Sequence, residues 1–352
     1  MAPRVEPEGA LLTLDDPTGH WDAVSLWYHL RRPYPDRSFA RTDEGWGYWF
    51  DRPDVDRVEY LIEQTDPAGT TRLSLDEANP LRAPGAFGEH SVLEFPGYAR
   101  PGWLDWPAPP GQRMDLTMPH GRGLRRDLPV QVWSPEGLAD APAPLLLVHD
   151  GPELDAYSSL TRYSAAMIRA GRLPAYRVGL LAPLDRDAWY SASPAYARSL
   201  STHALPALAR AVPTIGAPVL VGASLGALAG LHAEWSAPGT FAGLYLASGS
   251  FFQMRYDSHE QHFGRFFRIV SAVEALVDSP EAPSTVQVSI VCGTGEENWE
   301  NNRVVAEALS RMGVDTAFTS FRDGHTWVGW RDSFDPALTT LLSALWGERP
   351  GH

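Results

Sequence analysis

The rhythm of apolar and polar positions changes about a third of the way along the chain. Before residue 105 the apolar runs are short, rich in aromatic and β-branched residues, and separated by Pro, Gly and Asp clusters. AVSLWYHL (Ala23–Leu30), GWGYWF (Gly45–Phe50) and RVEYLIEQ (Arg57–Gln64) are examples. Strands punctuated in this way predict a small antiparallel all-β sandwich over residues 1–105. A proline-dense piece, PGYARPGWLDWPAPPGQ (Pro96–Gln112), follows, and its last part, 106–112, is expected to be the linker. From Arg113 onward strand-like and helix-like runs alternate. RMDLTM, LPVQVW, LLLVHDG, RVGLLAPL, PVLVG, FAGLYLASGS, VQVSIVCGT and TAFTSF read as strands. SLTRYSAAMIRAG, SPAYARSLSTHALPALARAV, the run after Ser224 and NRVVAEALSRMG read as helices. That alternation predicts an α/β domain over 113–352, with a doubly wound, mostly parallel sheet covered on both faces.

Functional groups of an open α/β sheet collect at the carboxyl ends of its strands. Three chemistry-bearing residues meet that condition. PVLVG runs into Gly222-Ala223-Ser224-Leu225-Gly226, a G-x-S-x-G pattern between a strand and an Ala- and Leu-rich helix. VQVSIVCGT runs into Glu296 and Glu297, and TAFTSF runs into His325. The order Ser, acid, His is the one α/β-hydrolases use. Singly, each residue has a bland reading: a turn serine, a carboxylate at a helix start, a loop histidine packed on Trp327 or Trp330. Three independent placements at strand ends favour chemistry over coincidence.

The residue types suit acyl transfer. A serine hydroxyl needs a base to take its proton, and histidine can take that proton and return it to the leaving group. A carboxylate fixes the imidazole tautomer. Amide donors must meet the developing oxyanion, and losing one costs roughly 10²–10³ in rate. One donor is expected at Leu225, directly after the serine. The second is expected in the loop after LLLVHDG, where Pro152 has no N–H. That leaves Gly151, Glu153 or a nearby residue, and Gly151 is favoured.

Composition removes several other classes. Among 352 residues there is no lysine, and all 29 basic residues are arginine. P-loop nucleotide hydrolysis, pyridoxal or Schiff-base catalysis and serine–lysine chemistry each require a lysine amine. A formal charge of −14 argues against nucleic acid or an anionic membrane as partner. The single cysteine, Cys292, permits no internal disulfide. The start, MAPRVEPEG, lacks a signal-peptide layout, so a cytoplasmic location is expected.

With these residues placed, the chain resembles the enterochelin (enterobactin) esterase branch of the α/β-hydrolase esterases. The resemblance rests on VHDGPE (Val148–Glu153), ALP (Ala204–Pro206), GASLGALAGL (Gly222–Leu231), SGSFF (Ser248–Phe252), CGTGEENWENN (Cys292–Asn302) and DGHTWVGWR (Asp323–Arg331). VEYLIEQTD, DEANP and SVLEFPGY carry it into the front domain, which resembles the family's immunoglobulin-like N-terminal domain. The resemblance implies a cytosolic serine esterase that opens ester bonds of a siderophore, without an organic cofactor. By position it makes Ser224 the nucleophile, His325 the base and Glu296 the acid, with Glu297 in reserve. THALP departs from the family, whose members often carry a glutamate before Leu-Pro, and Pro152 departs in the oxyanion loop.

The substrate side is less constrained. Arg255 closely follows SGSFF, so it is expected beyond a strand end as a clamp for an anionic substrate, with Trp327 lining the site. Arg265 and Arg268 read more readily as a solvated helix face. Ser258-His259-Glu260-Gln261-His262 is not H-E-x-x-H and offers no obvious third ligand, so no metal is expected. His149 and His232 read as structural. Two rivals remain: an acyl esterase or acyltransferase on glycan-linked esters, and a non-catalytic binding protein on a hydrolase scaffold.

Overall fold

The computed structural model describes residues 1–138 and 140–347. The chain forms two compact units. The first comprises Met1–Arg100, Gly293–Glu297 and Phe321–Gly329; the second comprises Pro101–Cys292, Asn298–Ser320 and Trp330–His352.

The first unit holds strands β1 (Arg4–Glu6), β2 (Gly9–Asp15), β3 (Ala23–Tyr28), β4 (Ala40–Thr42), β5 (Gly45–Asp51), β6 (Arg57–Thr65), β7 (Thr71–Ser74), β8 (Arg82–Ala83) and β9 (His90–Glu94). One antiparallel sheet has the order β1-β2-β5-β4; the other has β3-β6-β9-β8, with β7 on β6. On β6 buried and half-buried residues alternate, which is the period of a strand covered on one face. Leu12, Trp46 and Phe50 from one sheet share a core with Val24, Leu26, Val58, Tyr60 and Leu93 from the other. The unit is therefore an all-β sandwich, as its sequence predicts.

Two short segments from late in the chain are built into this unit. Arg31 N–H donates to Gly295 O (2.7 Å), Asp56 N–H to Arg322 O (2.8 Å), and Thr294 Oγ1 to Asp54 O (2.8 Å). Arg57 on β6 is buried and bridges Glu59 (2.8 Å) and Asp323 (3.3 Å). Burial works against its charge, but the two carboxylates outweigh that and hold its pKa above the usual arginine value.

The second unit carries an eight-stranded sheet in the order β10-β11-β13-β12-β14-β15-β16-β17. Its strands are β10 (Gln112–Met118), β11 (Leu128–Ser134), β12 (Leu145–Val148), β13 (Arg177–Leu181), β14 (Val219–Ala223), β15 (Gly243–Ala247), β16 (Gln287–Gly293) and β17 (Thr316–Phe321). The first two are antiparallel to their neighbours, while β13, β12, β14, β15 and β16 run parallel. β12 to β15 are buried at every position, so they read as continuous apolar runs without alternation.

Helices cover this sheet: α1 (Gly151–Ser158), α2 (Leu160–Arg169), α3 (Arg186–Tyr190), α4 (Pro194–Ser199), α5 (Leu205–Ala211), α6 (Leu225–Ser236), α7 (Met254–Asp257), α8 (Phe266–Val277), α9 (Trp299–Arg311), α10 (Trp327–Ser333) and α11 (Thr339–Trp346). The run read from sequence as one helix over 193–212 is α4 and α5 joined by a wider turn at Leu200–Ala204. Trp103 is buried edge-on against Tyr163, and Arg162 Nε donates to Leu104 O (3.1 Å), so the segment from Pro101 packs with this unit. Among the described residues no helix is long and apolar enough to cross a membrane.

The buried arginine sets a stability test. Arg57→Met removes the buried cation that Glu59 and Asp323 share and is expected to cost about 3–5 kcal/mol. Arg322→Met removes ion pairs to Asp54 and Asp56 from a residue whose side chain is 45% exposed, and is expected to cost under about 1 kcal/mol. Urea denaturation of both variants measures the difference, and equal losses would contradict it.

Candidate active site

Ser224 joins β14 to α6 with a backbone few side chains adopt, φ 55° and ψ −123°. Its surroundings hold it there. Its N–H donates to Ala247 O on the neighbouring strand (2.9 Å), and its carbonyl accepts from Ala227 (3.1 Å), Leu228 (3.3 Å) and Ser250 (3.1 Å). Two residues earlier, a Cβ on Gly222 would meet the Gly226 carbonyl carbon and oxygen at 2.5 Å, so only glycine lets the helix sit this close to the strand. The result is a half-buried serine at a helix N-terminus. Leu225, the expected oxyanion donor, is the first helical residue, where amides have no intrahelical acceptor.

The other expected donor, Gly151, begins α1, after Asp150 in the left-handed region. A Cβ at Gly151 would lie 2.4 Å from Leu180 Cα, so glycine is required here for packing on β13, independently of any amide role. Asp150 is fixed by a two-point contact from Arg186, at 2.9 and 2.8 Å.

Behind the elbow lies His149, read as structural from sequence and found fully buried. Its Nδ1 bonds Gly226 O (2.8 Å) and its Nε2 bonds the Tyr196 hydroxyl (2.9 Å). The Gly226 carbonyl can only accept, so Nδ1 carries the proton, and in the neutral ring that burial favours Nε2 accepts from the Tyr196 hydroxyl. Burial pushes its pKa down to about 4. His232 is also pushed down, by burial first and by the charge of Arg268 second.

The sequence reading gave no role to Ser250, whose hydroxyl lies 3.1 Å from that of Ser224. Its loop is pinned from several sides. Asn302 accepts from Gly249 N–H and donates to Gly249 O, both at 2.8 Å, and Trp330 Nε1 donates to Ser248 Oγ (2.9 Å). Asn301 reaches both carboxylate oxygens of buried Asp257 (3.1 and 3.2 Å). Burial pushes the Asp257 pKa up. The strand-end rule that selected Ser224 applies equally to Ser250, just beyond β15, and would have found it.

In the first unit, His325 Nδ1 bonds Glu296 Oε2 at 2.7 Å. Glu296 is buried, and its Oε1 accepts from Gly293 N–H (2.8 Å), which fixes the carboxylate. Glu297 Oε1 instead accepts from Arg32 Nε (2.8 Å). Of the two candidate acids, Glu296 is therefore the one oriented on the imidazole. Trp327, at the start of α10, is half-buried. In the second unit Arg255 is exposed, with its guanidinium 4.3 Å from the centre of the Tyr256 ring. Arg268, read as a solvated face, is anchored: it donates to Ser191 O (2.5 Å) and Ala188 O (2.9 Å).

A strained strand-to-helix serine on a mostly parallel sheet and a carboxylate-oriented histidine are features of the α/β-hydrolase class. Residues 121–341 match the model of the family described as Putative esterase, and the chain belongs to that family. Its fold is similar to that of the enterobactin esterase from Shigella flexneri crystallised in the presence of enterobactin. That match has a TM-score of 0.74 and 19% identity, covering 98% of this chain and 96% of that one. The ferric enterobactin esterase from Salmonella typhimurium gives a TM-score of 0.77 at 17% identity, covering 99% and 98%. A ferulic acid esterase gives 0.55 at 15% identity, covering 67% of this chain and 99% of that one. No curated protein matches the chain in sequence.

The buried histidine predicts a pH dependence of stability. With a native pKa near 4 against 6.5 for an unperturbed ring, the unfolded chain binds the extra proton between those values. The stabilisation from neutral His149 is thus complete above pH 6.5 and is lost as the pH falls through 4, by about 3 kcal/mol in all. Urea unfolding at pH 7 and pH 4.5 is expected to show a smaller acid loss in His149→Gln than in the native chain. Parallel losses would contradict the assignment.

Proposed function

We propose that this chain is a cytoplasmic serine esterase acting through an acyl-enzyme, and that its substrate is a siderophore ester. The observation that carries the reading is the Ser224 backbone, strained at a helix N-terminus within an esterase family. The Glu296–His325 bond supports it, because a carboxylate on Nδ1 aims Nε2 as the base.

In the proposed reaction, Ser224 Oγ attacks the ester carbonyl carbon while His325 Nε2 takes the hydroxyl proton. Glu296 stabilises the imidazolium. The carbonyl oxygen, now negative, is met by the amides of Leu225 and Gly151. Collapse breaks the bond to the alcohol, which leaves with the proton from His325. Water, deprotonated by the same histidine, then attacks the acyl-enzyme and releases the carboxylic acid. The reaction requires Ser224 Oγ and His325 Nε2 within hydrogen-bond reach at turnover. Arg255 and Trp327 are proposed to contact the substrate. The siderophore assignment draws on the named activity of the enterobactin esterases whose fold the chain shares over nearly its whole length.

Turnover of p-nitrophenyl butyrate tests the mechanism. Ser224→Ala and His325→Ala are expected to lower kcat by about 10⁴–10⁶ and Glu296→Gln by about 10⁴. Full activity in Ser224→Ala would overturn the serine reading. A panel of cyclic and linear siderophore esters beside feruloyl sugars tests the substrate: higher kcat/KM on the siderophore esters is expected, and preference for the feruloyl sugars would replace that assignment.

A further inference from the structure

Within the second unit, a cleft of about 630 Å³ opens among the β10–β11 loop, the α3–α4 segment and α8. That volume suits a small organic molecule. Arg125, Arg126 and Arg268 line it, in a chain whose formal charge is −14. The only carboxylate among the lining residues is Asp185, which is engaged as the N-cap of α3 and accepts from Ala188 N–H (3.3 Å). The exposed lining is more polar than apolar, with apolar surface contributed by Leu184 and Pro194 and the edges of the buried Leu124 and Trp189.

One of the three cations is anchored, and the loop carrying the other two is tied at its base. The two carbonyl acceptors that anchor Arg268 fix the plane of its guanidinium. Burial first, and the charge of Arg265 second, push its pKa down from the ordinary arginine value, so an anion in the cleft would offset the cost of holding a charge there. The loop bearing Arg125 and Arg126 is closed at its base by His120 Nδ1 against Asp127 Oδ1 (2.7 Å), which occupies the nearest acid. Gly121 N–H donates to Ser199 Oγ (2.9 Å) and fastens the loop to α4. The cleft is also tied to the elbow. Arg186 and Tyr190 of α3 bond Asp150, and the adjacent His149 bonds the Gly226 carbonyl.

We propose that this cleft is a binding subsite for a planar organic anion, a carboxylate carried on a flat apolar body, and that it selects esters bearing such a group. The geometry favours this class because guanidinium groups meet carboxylates in a two-point planar fork while the apolar part of the lining receives the ring. The selection of esters rests on the esterase reading above; the binding of the anion does not.

Calorimetric titration with benzoate, and with its neutral isostere benzamide, tests the subsite directly. Arg125→Gln/Arg126→Gln is the variant, since both side chains are exposed and their replacement spares the anchored Arg268. Benzoate is expected to bind more tightly than benzamide and to lose about tenfold in affinity in the double variant. The ratio of kcat/KM for 4-acetoxybenzoate over phenyl acetate is expected to fall by a similar factor. Equal binding of benzoate and benzamide, or benzoate affinity unchanged in the variant, would overturn the subsite. Arginine-dependent benzoate binding in a chain that turns over no ester would sustain the subsite and remove the esterase reading. Ester turnover with benzoate binding indifferent to the arginines would do the reverse.

Discussion

The second unit depends on holding one serine where its backbone does not rest unaided. A non-glycine residue at φ 55° and ψ −123° carries strain of about 1–3 kcal/mol, which persists only if its neighbours over-determine it. Here they do. The amide of Ser224 is spent on β15, its carbonyl is shared among three donors, and a glycine two residues back lets α6 lie against β14. Buried His149 secures the Gly226 carbonyl from behind, and Arg186 fixes Asp150 beside it. That backbone sets Ser224 at the N-terminus of α6, whose first-turn amides have no intrahelical acceptor. That combination is what an acyl-transfer nucleophile needs.

The imidazole is fixed by different means. Its carboxylate partner and its own loop belong to the compact unit of the N-terminal sheets. Arg57 is buried on β6 and reaches Asp323, two residues before His325; backbone bonds from Arg31 and Asp56 hold the two loops that carry Glu296 and His325. The N-terminal sandwich thus holds the bonded Glu296–His325 pair within its own compact unit.

Much of this was legible in the sequence, because the strongest signals are local and periodic. Continuous apolar runs such as LLLV and the RVGLL run mark strands buried on both faces, and β12 and β13 follow them closely. The strand-end rule singled out Ser224, Glu296 and His325 as candidates, because chain direction in a parallel sheet decides which ends can carry chemistry. What remained hidden was long-range. β7 is exposed at three of its four positions and has no apolar stripe to announce it. The sequence alone left Glu296 and Glu297 as alternatives, and only the bonds to His325 and to Arg32 separate them. Asn302 and Trp330 sit inside quoted motifs, yet their work, clamping the Ser248–Ser250 loop, depends on partners more than 50 residues away. Arg268 read as a solvated face because its two carbonyl acceptors lie near residue 190.

The central claim is that one hydroxyl, activated by one imidazole, carries the reaction. Peptide mapping by mass spectrometry after treatment with a fluorophosphonate tests it most directly. The account predicts a single phosphonyl adduct on Ser224, formed rapidly in the native chain and strongly slowed when His325 is replaced by alanine. An adduct on another residue, or labelling of Ser224 at an unchanged rate without the histidine, would contradict it.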